Sequence, residues 1–117
     1  MITVAETRMF QRKAARLLSE TDLDDLIAYL AEHPSAGIIM EGTGGIRKLR
    51  WARTGGGKSG GLRVIYYFHD ELMPLYLLTV FGKNEKANLT KAECNLLAKT
   101  VKELVAFWRQ RNEQSIY

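Results

Sequence analysis

Apolar residues recur along the chain with two periods, and the change from one to the other locates the elements. Residues 2–5 are a short β-branched run and predict a first strand. Over residues 7–18, Phe10, Ala14, Leu17 and Leu18 fall on one side of a helix. Ser19 then offers an N-cap with Asp22 three residues on. Leu23, Leu26, Ile27 and Leu30 follow at i, i+3, i+4 and i+7, which predicts a second helix to about His33. Pro34 ends it, because proline lacks an N–H and forces the preceding residue toward extended geometry. After the turn-rich Gly42-Thr43-Gly44-Gly45 the period becomes two, and residues 46–53, 62–69 and 75–83 read as strands. A last helix starts at Thr90, where Thr90 and Glu93 form a capping box. Leu97, Val101, Leu104, Val105 and Trp108 line one of its faces as far as about Asn112.

The predicted order is β-α-α-β-β-β-α in one domain spanning residues 1–117. Two helices must cover one face of a largely antiparallel sheet, so the fold class is α+β. Strand alternation sends Leu49 and Trp51 to the helix side, and Lys48 and Arg50 to the other, about 7 Å apart by strand rise. On the next strand Leu62, Val64, Tyr66 and Phe68 share the helix side, while Arg63, Ile65, Tyr67 and His69 share the opposite one. With Lys83 at the end of the third strand, the expectation is a half-covered sheet. Its open face carries Lys48, Arg50, Arg63, Lys83 and Tyr67.

Composition is that of an ordinary globular chain, 46% hydrophobic and 26% charged. The net charge of +4 is unevenly placed. Residues 1–41 hold four Lys/Arg against seven Asp/Glu, residues 42–69 hold six against none, and residues 70–117 hold seven against six. An acid-free basic stretch attracts polyanions, because each neutralised phosphate releases condensed counterions. Arginine forks grip phosphate in two places, lysine acts as a point charge, and an aromatic ring can stack on a splayed base. The beginning of the chain has no basic-then-apolar signal pattern and no apolar run reaches ~18 residues, so the expected location is the cytoplasm, with no membrane partner. A single cysteine, Cys94, fits a reducing compartment.

Other chemistries find little support. Gly55-Gly56-Gly57-Lys58-Ser59 resembles part of a phosphate-binding loop. The glycine that such a loop needs five residues before Gly57 is Ala52, and a strand follows where a helix is required. A hairpin loop carrying Lys58 toward a nucleic acid backbone suits these residues better. His33, His69 and Cys94 lie at unrelated spacings and make no zinc site, so neither metal nor cofactor is expected.

Three segments together carry a family resemblance. They are Gly42-Thr-Gly-Gly-Ile-Arg-Lys-Leu-Arg, Gly60-Gly-Leu-Arg-Val-Ile-Tyr-Tyr-Phe and Tyr76-Leu-Leu-Thr-Val-Phe-Gly-Lys-Asn-Glu. They resemble the RelE/ParE superfamily of toxins, most closely its HigB-type branch. The resemblance implies the toxin of a type II toxin–antitoxin pair, with a helix-turn-helix antitoxin as partner and operator DNA reached only through that antitoxin. RelE-like members cut mRNA on the ribosome, whereas the ParE branch poisons DNA gyrase; a basic RNA-binding module without chemistry is the third reading. By motif, Lys48, Arg50, Arg63 and Lys83 are the candidate catalytic residues, with Lys58, Tyr67 and Asn84 as substrate contacts. Asn84 stands where RelE has arginine, and Thr90 stands where it has a tyrosine. The implied chemistry is metal-free attack of a ribose 2′-OH on its own 3′ phosphate, with Lys48 removing the proton, Arg50 and Arg63 stabilising the phosphorane, and Lys83 protonating the leaving oxygen.

Overall fold

The computed structural model describes residues 1–53 and 61–114; the glycine-rich segment that holds Lys58 lies outside them. In chain order the elements are β1 (Val4–Glu6), α1 (Arg8–Leu17), α2 (Glu20–Glu32), β2 (Ile38–Ile39), β3 (Arg47–Ala52), β4 (Gly61–Tyr67), β5 (Leu75–Gly82) and α3 (Lys91–Gln114). They build one five-stranded sheet in the order β1-β5-β4-β3-β2. Only the β1–β5 pair is parallel; β2–β3, β3–β4 and β4–β5 are antiparallel. The fold is α+β, as the two periods imply.

Both N-terminal helices start where their caps dictate. Thr7 Oγ1 accepts the Phe10 N–H at 3.2 Å, and Ser19 Oγ accepts the Asp22 N–H at 3.1 Å. Each bond satisfies a first-turn donor that has no partner within the helix. The Thr7 hydroxyl also donates to the carbonyls of Leu77 and Leu78, both at 3.0 Å, which ties the start of α1 to the edge of β5. There the ladder shifts register, with Ile65 opposite Thr79 but Tyr66 opposite Leu77. The intervening Leu78 is thus a bulge residue, and it packs on the α3 side with Phe81.

Two apolar layers sandwich the sheet. Phe10, Ala14 and Leu18 from the α1 segment and Leu26 and Leu30 from α2 pack on Leu62, Val64, Tyr66, Leu75, Leu77 and Val80. On the other face Leu97 and Val101 of α3 pack on Ile46, Ile65, Tyr67, Leu78 and Phe81. That second layer corrects the expectation of an open face. The helix face of Leu97, Val101, Leu104, Val105 and Trp108 needs an apolar surface to cover, and Ile65, Tyr67, Leu78 and Phe81 supply it. Lys48 and Arg50 of β3, Arg63 of β4 and Lys83 just after β5 stay at least partly exposed on this face.

A second correction is β2, which the sequence pattern passes over. Ile38 and Ile39 pair with Lys48 and Arg47, and a two-residue strand is too short to show alternation. The turn into β3 is closed by Thr43, whose buried hydroxyl donates to the Met40 carbonyl at 2.6 Å and accepts the Ile46 N–H at 3.1 Å. Gly42, Gly44 and Gly45 take positive φ in this turn, a region that side chains disfavour. Before β2, Tyr66 pins the chain: its hydroxyl accepts the Gly37 N–H at 2.8 Å and donates to the Pro34 carbonyl at 2.9 Å. The approach is so close that a Cβ on Gly37 would lie 2.8 Å from the Tyr66 ring. Burial raises the Tyr66 pKa above its ordinary value, which keeps the hydroxyl protonated and able to donate. Tyr66→Phe strands the Gly37 N–H, and urea denaturation should show a loss of about 1–3 kcal/mol.

Candidate nucleic-acid interface

Strand β3 divides its cations between the two faces. Odd-numbered Arg47 and Arg53 turn toward the α1/α2 side and are used structurally. Arg47 Nη1 donates to the Gly37 carbonyl at 2.7 Å and the Ser35 carbonyl at 3.2 Å. Arg53 Nη1 donates at 2.9 Å to the carbonyl of Leu17, the last residue of α1, where the helix dipole favours a cation. Even-numbered Lys48 and Arg50 belong to the other face. Among the described residues, Arg47 and Arg53 are therefore occupied by backbone carbonyls on the α1/α2 side.

The β3–β4 register places Arg50 directly opposite Arg63 and Lys48 opposite Ile65. Directly opposed residues hold their Cβ atoms about 4.5–5.5 Å apart, and like charges so placed repel. Among the described residues neither guanidinium has an ion pair. Arg63 Nη1 makes a 3.4 Å contact with the Leu62 carbonyl, and a Cβ on Gly61 would lie 3.9 Å from the same nitrogen. Gly61 thus leaves the Arg63 side chain room beside it. The ladder continues past Gly82, because the Lys83 N–H donates to the Gly61 carbonyl at 3.0 Å. Lys83 consequently sits one pleat beyond Phe81, the partner of Arg63. The four sequence-predicted residues Lys48, Arg50, Arg63 and Lys83 come together in one region of the sheet.

The segment between β5 and α3 borders this region. Lys48 Nζ donates to Asn88 Oδ1 at 3.2 Å. The neighbouring carboxylates are engaged: Glu85 Oε1 in the segment accepts the Gly82 N–H at 3.2 Å, and Glu93 Oε2 in the first turn of α3 accepts from Lys86 Nζ at 2.7 Å. Lys86 also lies 5.6 Å from the centroid of the Phe81 ring. Glu93 Oε1 takes the Thr90 N–H at 2.8 Å while Thr90 Oγ1 takes the Glu93 N–H at 3.1 Å, so the capping box read from sequence starts α3. The hydrogen bond from Lys86, followed by that from the Thr90 backbone, lowers the Glu93 pKa to about 2.

Tyr67 does not join the cationic group, which corrects its reading as an exposed stacking ring. It is 7% exposed and lies beneath α3, with its hydroxyl 2.9 Å from His69 Nδ1. Burial, and then the nearby Asp70 charge, raises its pKa. The face assignment from alternation was right; the helix covering that end of the face had not been placed. Asn84 is exposed in the turn after β5, at the rim of the cationic region. Lys58 lies outside the described residues. Asn88 was missed, since a lone polar residue in a loop gives no local sign of a partner forty positions away.

Fold and face define the class: a small basic α+β domain with one cationic portion of sheet left uncovered by helices. The family model for the RelE toxin of the RelE / RelB toxin–antitoxin system matches residues 2–116. The chain belongs to the RelE toxin family, which makes it the toxin of a toxin–antitoxin pair with an antitoxin as partner. Among the described residues no helix is long and apolar enough to cross a membrane.

The Glu93 shift has a pH signature. A carboxyl whose folded pKa is depressed contributes stability above its unfolded value and loses it as pH falls toward the folded value. For Glu93 the window runs from its ordinary 4.5 down to about 2. Glu93→Gln should flatten the decline of stability across that window and cost about 0.5–1 kcal/mol at neutral pH, as measured by denaturation at a series of pH values.

Proposed function

We propose that this toxin is a HigB-type, ribosome-dependent endoribonuclease that cuts mRNA by metal-free transesterification and thereby stops translation. The observation that carries the reading is the pair of opposed arginines, Arg50 and Arg63, like charges at one register position that have no ion pair among the described residues. A phosphate diester supplies the missing negative charge, and the charge on its two non-bridging oxygens increases as attack proceeds. Donors held in place before the reaction stabilise that change without reorganising.

In the proposed step the ribose 2′-oxygen attacks the adjacent phosphorus, and its proton passes to Lys48, which acts in its neutral amine form and is oriented by Asn88. Arg50 and Arg63 hold the non-bridging oxygens of the phosphorane. The bond from phosphorus to the 5′-oxygen breaks, and Lys83 gives that oxygen a proton. The products are a 2′,3′-cyclic phosphate and a free 5′-hydroxyl. Asn84 at the rim and Lys58 on the glycine loop contact the RNA backbone. Much of the rate comes from alignment of the message by the ribosome, since orientation alone can contribute several kcal/mol. Such a substrate places the working toxin in the cytoplasm, and the proposed antitoxin carries a helix-turn-helix domain through which the pair reaches operator DNA.

Primer extension on translated mRNA is the test. The wild-type toxin should give discrete cuts, and Arg63→Ala should reduce the cutting rate by about 10²–10³-fold while leaving the thermal midpoint within a few degrees. Supercoiling inhibition without RNA cuts would instead make the toxin gyrase-directed. RNA binding with neither effect would leave a module without chemistry.

A further inference from the structure

Helix α1 carries a second group of bases, on the other side of the sheet from the α3 face. Its sequence holds Arg8, Arg12, Lys13 and Arg16 and no acid. Phe10, Ala14 and Leu17 turn inward against the sheet, and Lys13 is half-buried in the groove that Met9 also lines. The exposed side is left to Arg8, Gln11, Arg12, Ala15 and Arg16. The three arginines follow one another at i, i+4 and i+8, so they form one row along the helix with a rise of about 6 Å per step.

The row destabilises the helix in two ways. Like charges at i and i+4 repel. Arg8 also stands in the first turn, where the helix dipole favours an acid and α1 has none. No carboxylate offsets this. The next helix, α2, exposes Glu20, Asp24, Asp25 and Glu32, yet none of the three arginines is in an ion pair among the described residues. Residues 54–60 and 115–117 contain neither Asp nor Glu. The counter-charge is left to a partner, and the exposed side of α1 narrows its chemistry. It holds no aromatic ring to stack on an unpaired base, so it reads phosphate and shape. A membrane surface calls for an exposed apolar stripe, and the apolar side of α1 is buried in the core.

We infer that Arg8, Arg12 and Arg16 bind the phosphate backbone of a base-paired RNA, a contact separate from the face assigned to cleavage. A rigid row of cations matches a polyanion whose charges repeat at a fixed step. Consecutive phosphates on one strand of an A-form duplex repeat at close to the spacing of the row, and those of B-form DNA lie further apart. Each guanidinium fork takes one phosphate. Because α1 and α3 cover opposite sides of the sheet, a duplex on the row leaves Arg50 and Arg63 free for a single strand. The inference goes beyond the nuclease reading, and its test is a binding measurement that stands whether or not RNA is cut.

The full-length protein is titrated over a range of salt with a fluorescent RNA duplex, with one of its strands alone, and with a DNA duplex of the same sequence. Replacing all three arginines (Arg8→Gln, Arg12→Gln, Arg16→Gln) keeps a good helix former at each exposed position, and thermal melting checks the fold. This variant should bind the RNA duplex about tenfold or more weakly and lower the slope of log Kobs against log salt by about 2–3. Its affinity for the single strand should stay within about twofold of the wild type, whose preference should be for the RNA duplex over the DNA duplex. If the triple variant does not fold, Arg12→Gln alone decides, with a slope lowered by about 1. Sedimentation with ribosomal subunits separates the sources: loss of the variant from the subunits assigns the duplex to ribosomal RNA, and retention assigns it to stems in the message. Equal weakening of duplex and single strand, or a preference for the DNA duplex, would overturn the inference. So would an unchanged duplex affinity in the folded variant, and weaker binding to the antitoxin, to vesicles of anionic lipid or to a second copy would then identify what the row serves.

Discussion

The register between β3 and β4 is the constraint on which the cationic region depends. It sets Arg50 against Arg63, two guanidiniums whose opposition costs free energy in the isolated protein. A slip of one residue would send Lys48 and Arg50 into the α1/α2 layer and bring Leu49 and Trp51 out, which the buried faces of both strands forbid. The apolar core on one side therefore fixes the charges on the other. Tyr66 reinforces the same register from within, since its ring and hydroxyl hold the Pro34–Gly37 turn above the sheet.

The division of labour among the basic residues follows from that alternation. Arg47 and Arg53 stabilise the fold by closing backbone carbonyls at the β2 turn and at the end of α1. Lys48, Arg50, Arg63 and Lys83 belong to the α3 face and stay at least partly exposed there. Glu85 accepts a backbone N–H and Glu93, in the first turn of α3, pairs with Lys86, so among the described residues neither carboxylate is paired with Lys48, Arg50, Arg63 or Lys83. A polyanion therefore meets basic side chains that no described carboxylate neutralises in an ion pair, an arrangement that suits the toxin family to which the chain belongs.

Much of this was legible in the sequence. Thr7 to Leu18, Ser19 with its N-cap geometry, and the Thr90–Glu93 box could be read because helix starts depend on local bonds. The faces of β3 and β4 could be read because alternation is strict in strands that are buried on one side. The even-numbered face came out correctly even at Tyr67. What could not be read was long-range. Nothing local in residues 91–114 tells which end of the sheet α3 covers, so Tyr67 was assigned to solvent when it lies in the second core layer. β2 is too short to carry a period, and the Lys48–Asn88 bond joins residues from elements that meet only after the sheet has formed.

The most direct measurement of whether Arg50 and Arg63 act together as a phosphate clamp is the salt dependence of binding to a short single-stranded RNA. Each phosphate contact contributes about 0.7 to the slope of log Kobs against log salt for single strands. Removing either arginine as alanine should lower the slope by about that amount, and Arg53→Ala, which turns to the other face, should leave it unchanged. A slope that is the same in Arg50→Ala, Arg63→Ala and the wild-type protein would contradict the clamp.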